Sequence, residues 1–576
     1  MAASLNNLAA LLRAQGKYSE AEPLYERCQA IGEKALGPEH PSLARTLNNR
    51  AELLRAQGKF AEAEPLYRRA TEIWETALGL EHPNVATSIN NRAELLQAQG
   101  RYEEAEPLYE RSQAIREKVL APEHPDVAAS LNNRALLLRV QGKYDEAGPL
   151  HDRALAIREK TLGPEHPDVA QSLNNRAELL RVQGKFAEAE PLYRRATEIW
   201  ETALGPEHPH VATALNNRAE LLRAQGKYTE AEPLNARATE IWETALGPEH
   251  RLVATALNNR AELLRAQGRY EEAEPLYERS QAIREKVLGP EHPDVATSLS
   301  NRAELLRAQG KLEEALDVKL KGLAIEERLL PPDHPQMAAS LNNLAELLRA
   351  QGKYSEAEPL YERCQAIGEK ALGPEHPSLA RTLNNRAELL RAQGKFAEAE
   401  PLYRRATEIW ETALGPEHPN VATSINNRAE LLQAQGRYEE AEPLYKRSQA
   451  IREKVLGPEH PDVAASLNNR ALLLRVQGKY DEAGPLHDRA LAIREKTLGP
   501  EHPDVAQSLN NRAELLRVQG KFAEAEPLYR RATEIWETAL GPEHPHVATA
   551  LNNRAELLRA QVKAIRKFQE VSCGTR

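Results

Sequence analysis

The chain has 576 residues, 28% of them charged and 41% hydrophobic but only 5% aromatic, and a formal net charge of −9 at pH 7. Ala, Leu, Glu and Arg dominate, the mix of long helices rather than of sheets, and so mild an acidity over so long a chain offers no basic field for a phosphate backbone, which argues against nucleic acid as a partner. Cys28, Cys364 and Cys573 make no disulfide framework, and neither a signal peptide nor a long apolar run is present, so the expectation is a cytoplasmic protein that meets no membrane.

Length alone would suggest several domains, but internal repetition overrides it. From Leu5 the pattern L-N-N-x-A-x-L-L-x-x-Q-G-K-Y-x-E-A-E-P-L-Y returns at Leu47, Ile89 and Leu131 and every 42 residues thereafter to Leu551. Thirteen full units and one partial unit follow one another without insertion or deletion. That regularity requires interchangeable, stacked supersecondary units rather than linked domains.

Within a unit, Val85, Ile89, Ala93 and Leu96 recur three or four apart and predict a first helix. Gln99-Gly100 ends it, Tyr102 opens the next element, and Ala105, Leu108, Tyr109, Ser112 and Ile115 form the stripe of a second helix. Pro107 is expected near the first turn of that helix, where a missing N–H costs little. The second helix should end at Leu36, Leu78 and their equivalents, where Gly37 caps it, Pro38 stops it and Pro41 starts the next first helix. Each unit is thus an antiparallel helix pair that needs its neighbours to bury both faces.

The A helix L-N-N-L-A-x-L-L, the turn Q-G-K-Y and the alanine of x-E-A-E-P-L-Y resemble tetratricopeptide repeats, and the 42-residue period with its L-G-P-E-H-P-D-V-A connector resembles the longer variant of kinesin light chains. The resemblance covers residues 1 to about 561 and implies an all-α, right-handed solenoid whose concave groove, lined mainly by first helices, binds extended or short helical peptides of other proteins. The alternatives to a scaffold are a kinesin-light-chain-like cargo adaptor, which needs a motor-binding heptad segment that does not precede these repeats, and the repeat portion of a larger regulatory protein. In twelve units the fourth position of L-N-N-L is Arg, for example Arg50, Arg92 and Arg134, either lying along the apolar edge or pairing with glutamates of the second helix.

Residues 1–225 recur as 337–561 with four changes: Ala10 to Glu346, Leu80 to Pro416, Glu110 to Lys446 and Ala121 to Gly457. Met1-Ala-Ala-Ser recurs as Met337-Ala-Ala-Ser, so the chain is expected to start inside a first helix, with a fragment of a longer array as one hypothesis. Unit eight, Leu299 to Ser340, departs most: Leu312 replaces the aromatic and Asp317 the proline, so it is either the seam between halves or a specialised repeat.

Asn48, Glu52 and Arg55 lie at i, i+4 and i+7 of one first helix and so share a face, which the family pattern makes the groove. The asparagine recurs at Asn90, Asn132, Asn174, Asn216, Asn258, Asn342, Asn384, Asn426, Asn468 and Asn510, with Ser300 as the break. An amide has donors and an acceptor for a peptide backbone, so these residues are the candidate binding row; the competing reading is a helix face satisfied by its own Glu52 and Arg55.

The Glu-His pairs of the connectors, from Glu39-His40 onward, cannot share a metal at helix-to-helix spacing and are expected to cap helices. Cys28 and Cys364 read as small core residues, and Trp74, Trp200, Trp242, Trp410 and Trp536 as packing between helices. No catalytic or nucleotide motif occurs, so no enzyme activity, cofactor or metal is expected. After Gln561 the glycine is gone, and Val562, Ile565 and Phe568 continue the stripe of Leu551, Ala555 and Leu558. The last first helix should therefore run on to about Val571 and cover unit thirteen, with Lys563, Arg566 and Lys567 in water; a frayed tail is the alternative.

Overall fold

The computed structural model describes residues 2–573, with side chains through residue 566. Among these residues there are 27 helices and no strand. They alternate as first and second helices of thirteen hairpins, for example Pro41–Ala56 with Phe60–Leu78 in unit two and Pro83–Ala98 with Tyr102–Leu120 in unit three, and a final first helix, Pro545–Cys573.

Each first helix carries two adjacent apolar rows because it is gripped from two sides. Leu96 and Ala93 close on their own second helix at Tyr102, Ala105 and Tyr109, while Leu95 closes on the preceding hairpin at Ala51, Leu54, Ala63 and Tyr67. Leu95 is fully buried, so its truncation to alanine would cost about 2–5 kcal/mol. The last helix has only one of these two neighbours. Leu557 is buried against Ala513, Leu516, Ala525 and Tyr529, whereas Leu551, Leu558, Val562 and Ile565 are exposed. The stripe expected to cover unit thirteen is thus the row that would meet a second helix of its own. Lys563 and Arg566 are exposed; the side chains of Lys567 and Phe568 lie outside the described residues.

At the hairpin turn of unit four, Gly142 takes φ +74°, and the N–H of Lys143 reaches back to the Leu138 carbonyl at 2.8 Å, which satisfies a carbonyl the helix leaves open. The connectors stop second helices with glycine near φ +90°, except for Ala121 at +75° and for unit eight, where the helix stops before Leu330, φ −104°, and Pro331 and Pro332 follow. Pro107 sits deeper than expected: with the helix beginning at Tyr102 it lies beyond the first turn, and the Glu103 carbonyl has no donor four residues on.

Neighbouring first helices touch one another, as in units one and two, six and seven, and nine and ten, and the second helices fan apart. This wedge curves the stack with first helices inside. The curvature is tight enough that the array meets itself six units on. A Cβ on Gly142 would lie 2.8 Å from Pro377, and His376, which opens the first helix of unit ten, places its Nε2 2.9 Å from the Val140 carbonyl. Equivalent contacts join His334 to Ala98 and His418 to Val182, each pair 236 residues apart. Apolar side chains fill the same seam: Leu372 packs by Tyr102 and Val140, and Leu414 by Tyr144 and Val182.

Candidate functional site

The asparagine row is held between units rather than presented to solvent. Asn48, Asn90, Asn132, Asn174, Asn216, Asn258, Asn342, Asn384, Asn426, Asn468 and Asn510 are all buried. In most of them the side-chain oxygen accepts from the second asparagine of the next unit: Asn91 Nδ2 donates to Asn48 at 3.3 Å, Asn217 to Asn174 at 3.1 Å and Asn553 to Asn510 at 3.0 Å. The free amides expected along the groove are therefore engaged as struts, because a buried amide without a partner is costly. The strut partner, Asn49 or Asn91, went unread although the doubled asparagine in nearly every unit was the signal.

Substitutions within the row are paired. Where the second-helix tyrosine is His151 or His487, the ring Nδ1 lies 2.8 Å from Asn132 or Asn468. Where the asparagine is Ser300, the facing residue is Lys319, 2% exposed, whose ammonium donates to Ser300 at 2.7 Å and Ser340 at 3.3 Å. Unit eight thus carries a compensated exchange of strut chemistry.

What the struts orient is a row of carboxylates. Asn48 donates to Glu52 at 3.2 Å, Asn90 to Glu94 and Asn426 to Glu430 at 2.9 Å. Glu52 pairs with Arg13 of the previous unit rather than with Arg55, and Arg55 reaches Glu94 of the next at 3.1 Å. Further along, the carboxylate pairs within its own helix, as Glu178 with Arg181 and Glu220 with Arg223, both at 2.8 Å. Burial would raise the Glu178 carboxyl, but hydrogen bonds and charge from Arg181 outweigh it and hold it below the usual range.

Apart from Ala10, which takes the glutamate position of unit one, this ladder is broken once in each half. Gln97 and Gln433 stand in the arginine position of units three and eleven, and Leu136 and Leu472 in the glutamate position of the units that follow. In the second half the break forms an open pocket of about 360 Å3, lined by Arg391, Glu430, Gln433, Tyr438, Leu472 and Val476 among others. Tyr445 donates to Gln433 at 3.0 Å instead of to a carboxylate. Glu430 is left with two neutral amides, from Asn426 and Asn469, and with Arg391 at 3.5 Å. Burial, and then the nearby Glu388, raise its carboxyl above the usual range. The matching pocket of the first half is walled by His334, Pro335 and Gln336 of the next superhelical turn.

The other singled-out residues serve the scaffold. Every connector histidine accepts at Nδ1 from the N–H two residues on, as His40 does from Ser42 at 3.1 Å, and so caps a helix. Arg50 bonds Glu26 and Gln29 of the preceding second helix, both at 2.8 Å, and Arg134 bonds Glu110 at 2.6 Å. The tryptophans are buried, with Trp200 donating to the Pro167 carbonyl at 3.0 Å. Cys364 is buried 3.0 Å from Thr382, and burial pushes its thiol up, the opposite of an activated nucleophile.

A curved stack of antiparallel helix pairs, with first helices inside and a charged groove along them, defines a helical-repeat scaffold. The tetratricopeptide repeat pattern matches in twelve segments from 1–76 to 504–571, which overlap except between 252–328 and 336–412, and the chain belongs to that family. No curated protein matches it. Among solved structures, a Podosopora anserina protein described as a kinesin light chain with nearly identical TPR-like repeats is 30% identical, covering 36% of this chain and 97% of that one at a TM-score of 0.32. A second structure of that description is also 30% identical, with 36% and 98% covered and a TM-score of 0.31. BtubC (BKLC) from P. vanneervenii is 23% identical, with 41% and 92% covered and a TM-score of 0.33. Among the described residues no helix is long and apolar enough to cross a membrane.

Proposed function

We propose that the chain is a non-catalytic protein-interaction scaffold that holds extended peptide segments in the groove of its first helices. The observation that carries this reading is the break in the charge ladder at Gln433, Leu472 and Val476, where an apolar wall adjoins a carboxylate without its own arginine. Such a pocket suits a peptide with an apolar side chain beside a lysine or arginine: the first enters against Leu472 and Val476, and the second pairs with Glu430, whose one cation, Arg391 at 3.5 Å, lies closer to Glu388 at 2.8 Å. The asparagine row acts one step back, as struts that aim the carboxylates into the groove.

Fluorescence anisotropy of labelled peptides, titrated with the full chain, tests this. Peptides with a leucine flanked by lysines should bind more tightly than the same peptides flanked by glutamates. Leu472→Arg, which removes the apolar wall and sets a cation against the lysines of the peptide, should weaken binding about tenfold. Unchanged binding by that variant removes the pocket from the reading, and no binding by any peptide of the panel removes the groove.

A further inference from the structure

The seam between superhelical turns has two faces, and the internal duplication leaves each of them bare once. On the first turn the edge carrying Tyr102 and Val140 is covered by Leu372, His376 and Pro377. The same residues recur on the last turn as Tyr438 and Val476, where nothing approaches Gly478 and Val476 is 50% exposed. The covering segment recurs on the first turn as Leu36, His40 and Pro41, where Leu36 is 50% exposed. The neighbouring rung repeats the pattern. Leu414 packs on Tyr144 and Val182, while their duplicates Leu78 and Val518 are each 37% exposed. One residue shows the difference directly: the side chain of His460, within the seam, is 8% exposed, and its duplicate His124 is 41% exposed.

We propose that a second copy of this chain docks on that bare edge, laying its Leu36–Pro41 and Leu78–Pro83 segments on Tyr438–Gly478 and Tyr480–Gly520 of the first. The contact continues an interface that the chain already makes with itself, using the same side chains: Leu36 against Tyr438 and Val476, and His40 Nε2–H donating to the Val476 carbonyl. The side chains of the two segments are those of the seam except for Leu80, 62% exposed, which stands at the place of Pro416. The two faces differ, so the association is head-to-tail, and each added copy again offers both bare edges. Lengthening the array would move the bare edge to its last turn without removing it. The last helix, which passes straight through the place of a turn after Gln561, bounds the strip at unit fourteen. Few rungs are therefore available, and the association is concentration-dependent rather than obligate.

The proposal does not rest on peptide binding. Sedimentation velocity on the full chain should give the 64.3 kDa monomer at low concentration and a rising weight-average mass at high concentration. Val476→Asp with Val518→Asp should hold the chain monomeric, as should Leu36→Asp with Leu78→Asp, with circular dichroism unchanged because these side chains are exposed within one molecule. Mixing the two variants should restore a complex that stops at the dimer, since one intact edge of each kind remains. A monomer at every concentration overturns the proposal. So does an oligomer that either variant leaves intact, or a mixture of the two variants that stays monomeric.

Discussion

His151 and His487 stand where most other units carry a buried tyrosine, and the exchange makes the core of those units sensitive to acid. Each ring is fully buried, donates from Nδ1 to the strut asparagine and has no partner at Nε2. Burial, followed by the charges of Arg176 and Arg139, pushes His151 down to about 4, and burial with Arg512 and Arg475 does the same for His487. An unfolded histidine titrates near ~6.5, so between about pH 4 and 6.5 the unfolded chain binds more protons than the folded one. Stability is thus full above the unfolded value, rises with pH inside the window and is lost as pH falls through it, by at most about 3 kcal/mol for each histidine. Urea unfolding at pH 7 and pH 4.5 should show the loss, and His151→Tyr with His487→Tyr should shrink it. Equal pH dependence in that double variant would refute the account. The pairing of Ser300 with Lys319 belongs to the same scale: both departures were visible in unit eight, but only the hairpin's geometry shows that they touch.

At the scale of the helix, punctuation was readable because the hairpin glycine recurs in all thirteen units, and the connector glycine and proline in nearly all, at positions where φ must turn positive or a helix must stop. What could not be read was which row of a helix is inside. The first helix has two apolar rows because two neighbours grip it, and with one neighbour absent, as at Leu558, an apolar row is left in water. Pro107 was placed too early for a related reason, since the stripe marks a face and not the first hydrogen-bonded turn. Ala121 provides a test of the punctuation. It holds φ +75° at a position that is glycine in its duplicate, Gly457, at +90°. With ψ at 151° this is an extended conformation at positive φ that essentially only glycine enters freely, and a non-glycine residue there costs on the order of 1–3 kcal/mol. Ala121→Gly should therefore raise the urea midpoint, and Gly457→Ala lower it, with helical content unchanged; a lowered midpoint for the first would show that the gain in chain entropy on unfolding outweighs the relief.

The whole molecule depends on a contact that no single unit encodes. A repeat fixes the small rotation to its neighbour, and only the sum over six repeats brings His376 to Val140, so the connector histidines were legible as caps and not as clasps. Both ring nitrogens are in use there. Nδ1 accepts the capping N–H of Ser378 at 3.1 Å, and Nε2–H donates across the seam at 2.9 Å, which requires the neutral ring. Burial lowers His418 to about 4, only partly opposed by its bond to the Val182 carbonyl, and burial with the charge of Arg381 lowers His376. Acid therefore acts on the seam in a definite direction. The closed turn prefers neutral histidine, an opened turn returns the ring to water near ~6.5, and falling pH in the window below that value favours opening. Small-angle X-ray scattering should show the radius of gyration growing between pH 7 and pH 5 while helical content stays constant. His376→Asn with His418→Asn keeps a capping acceptor but removes the reach across the seam, and should produce the extended form already at pH 7. A radius that is constant across that range in the unaltered chain, with the helices intact, would mean that apolar packing by Leu372 and Leu414 holds the turns together without the histidines.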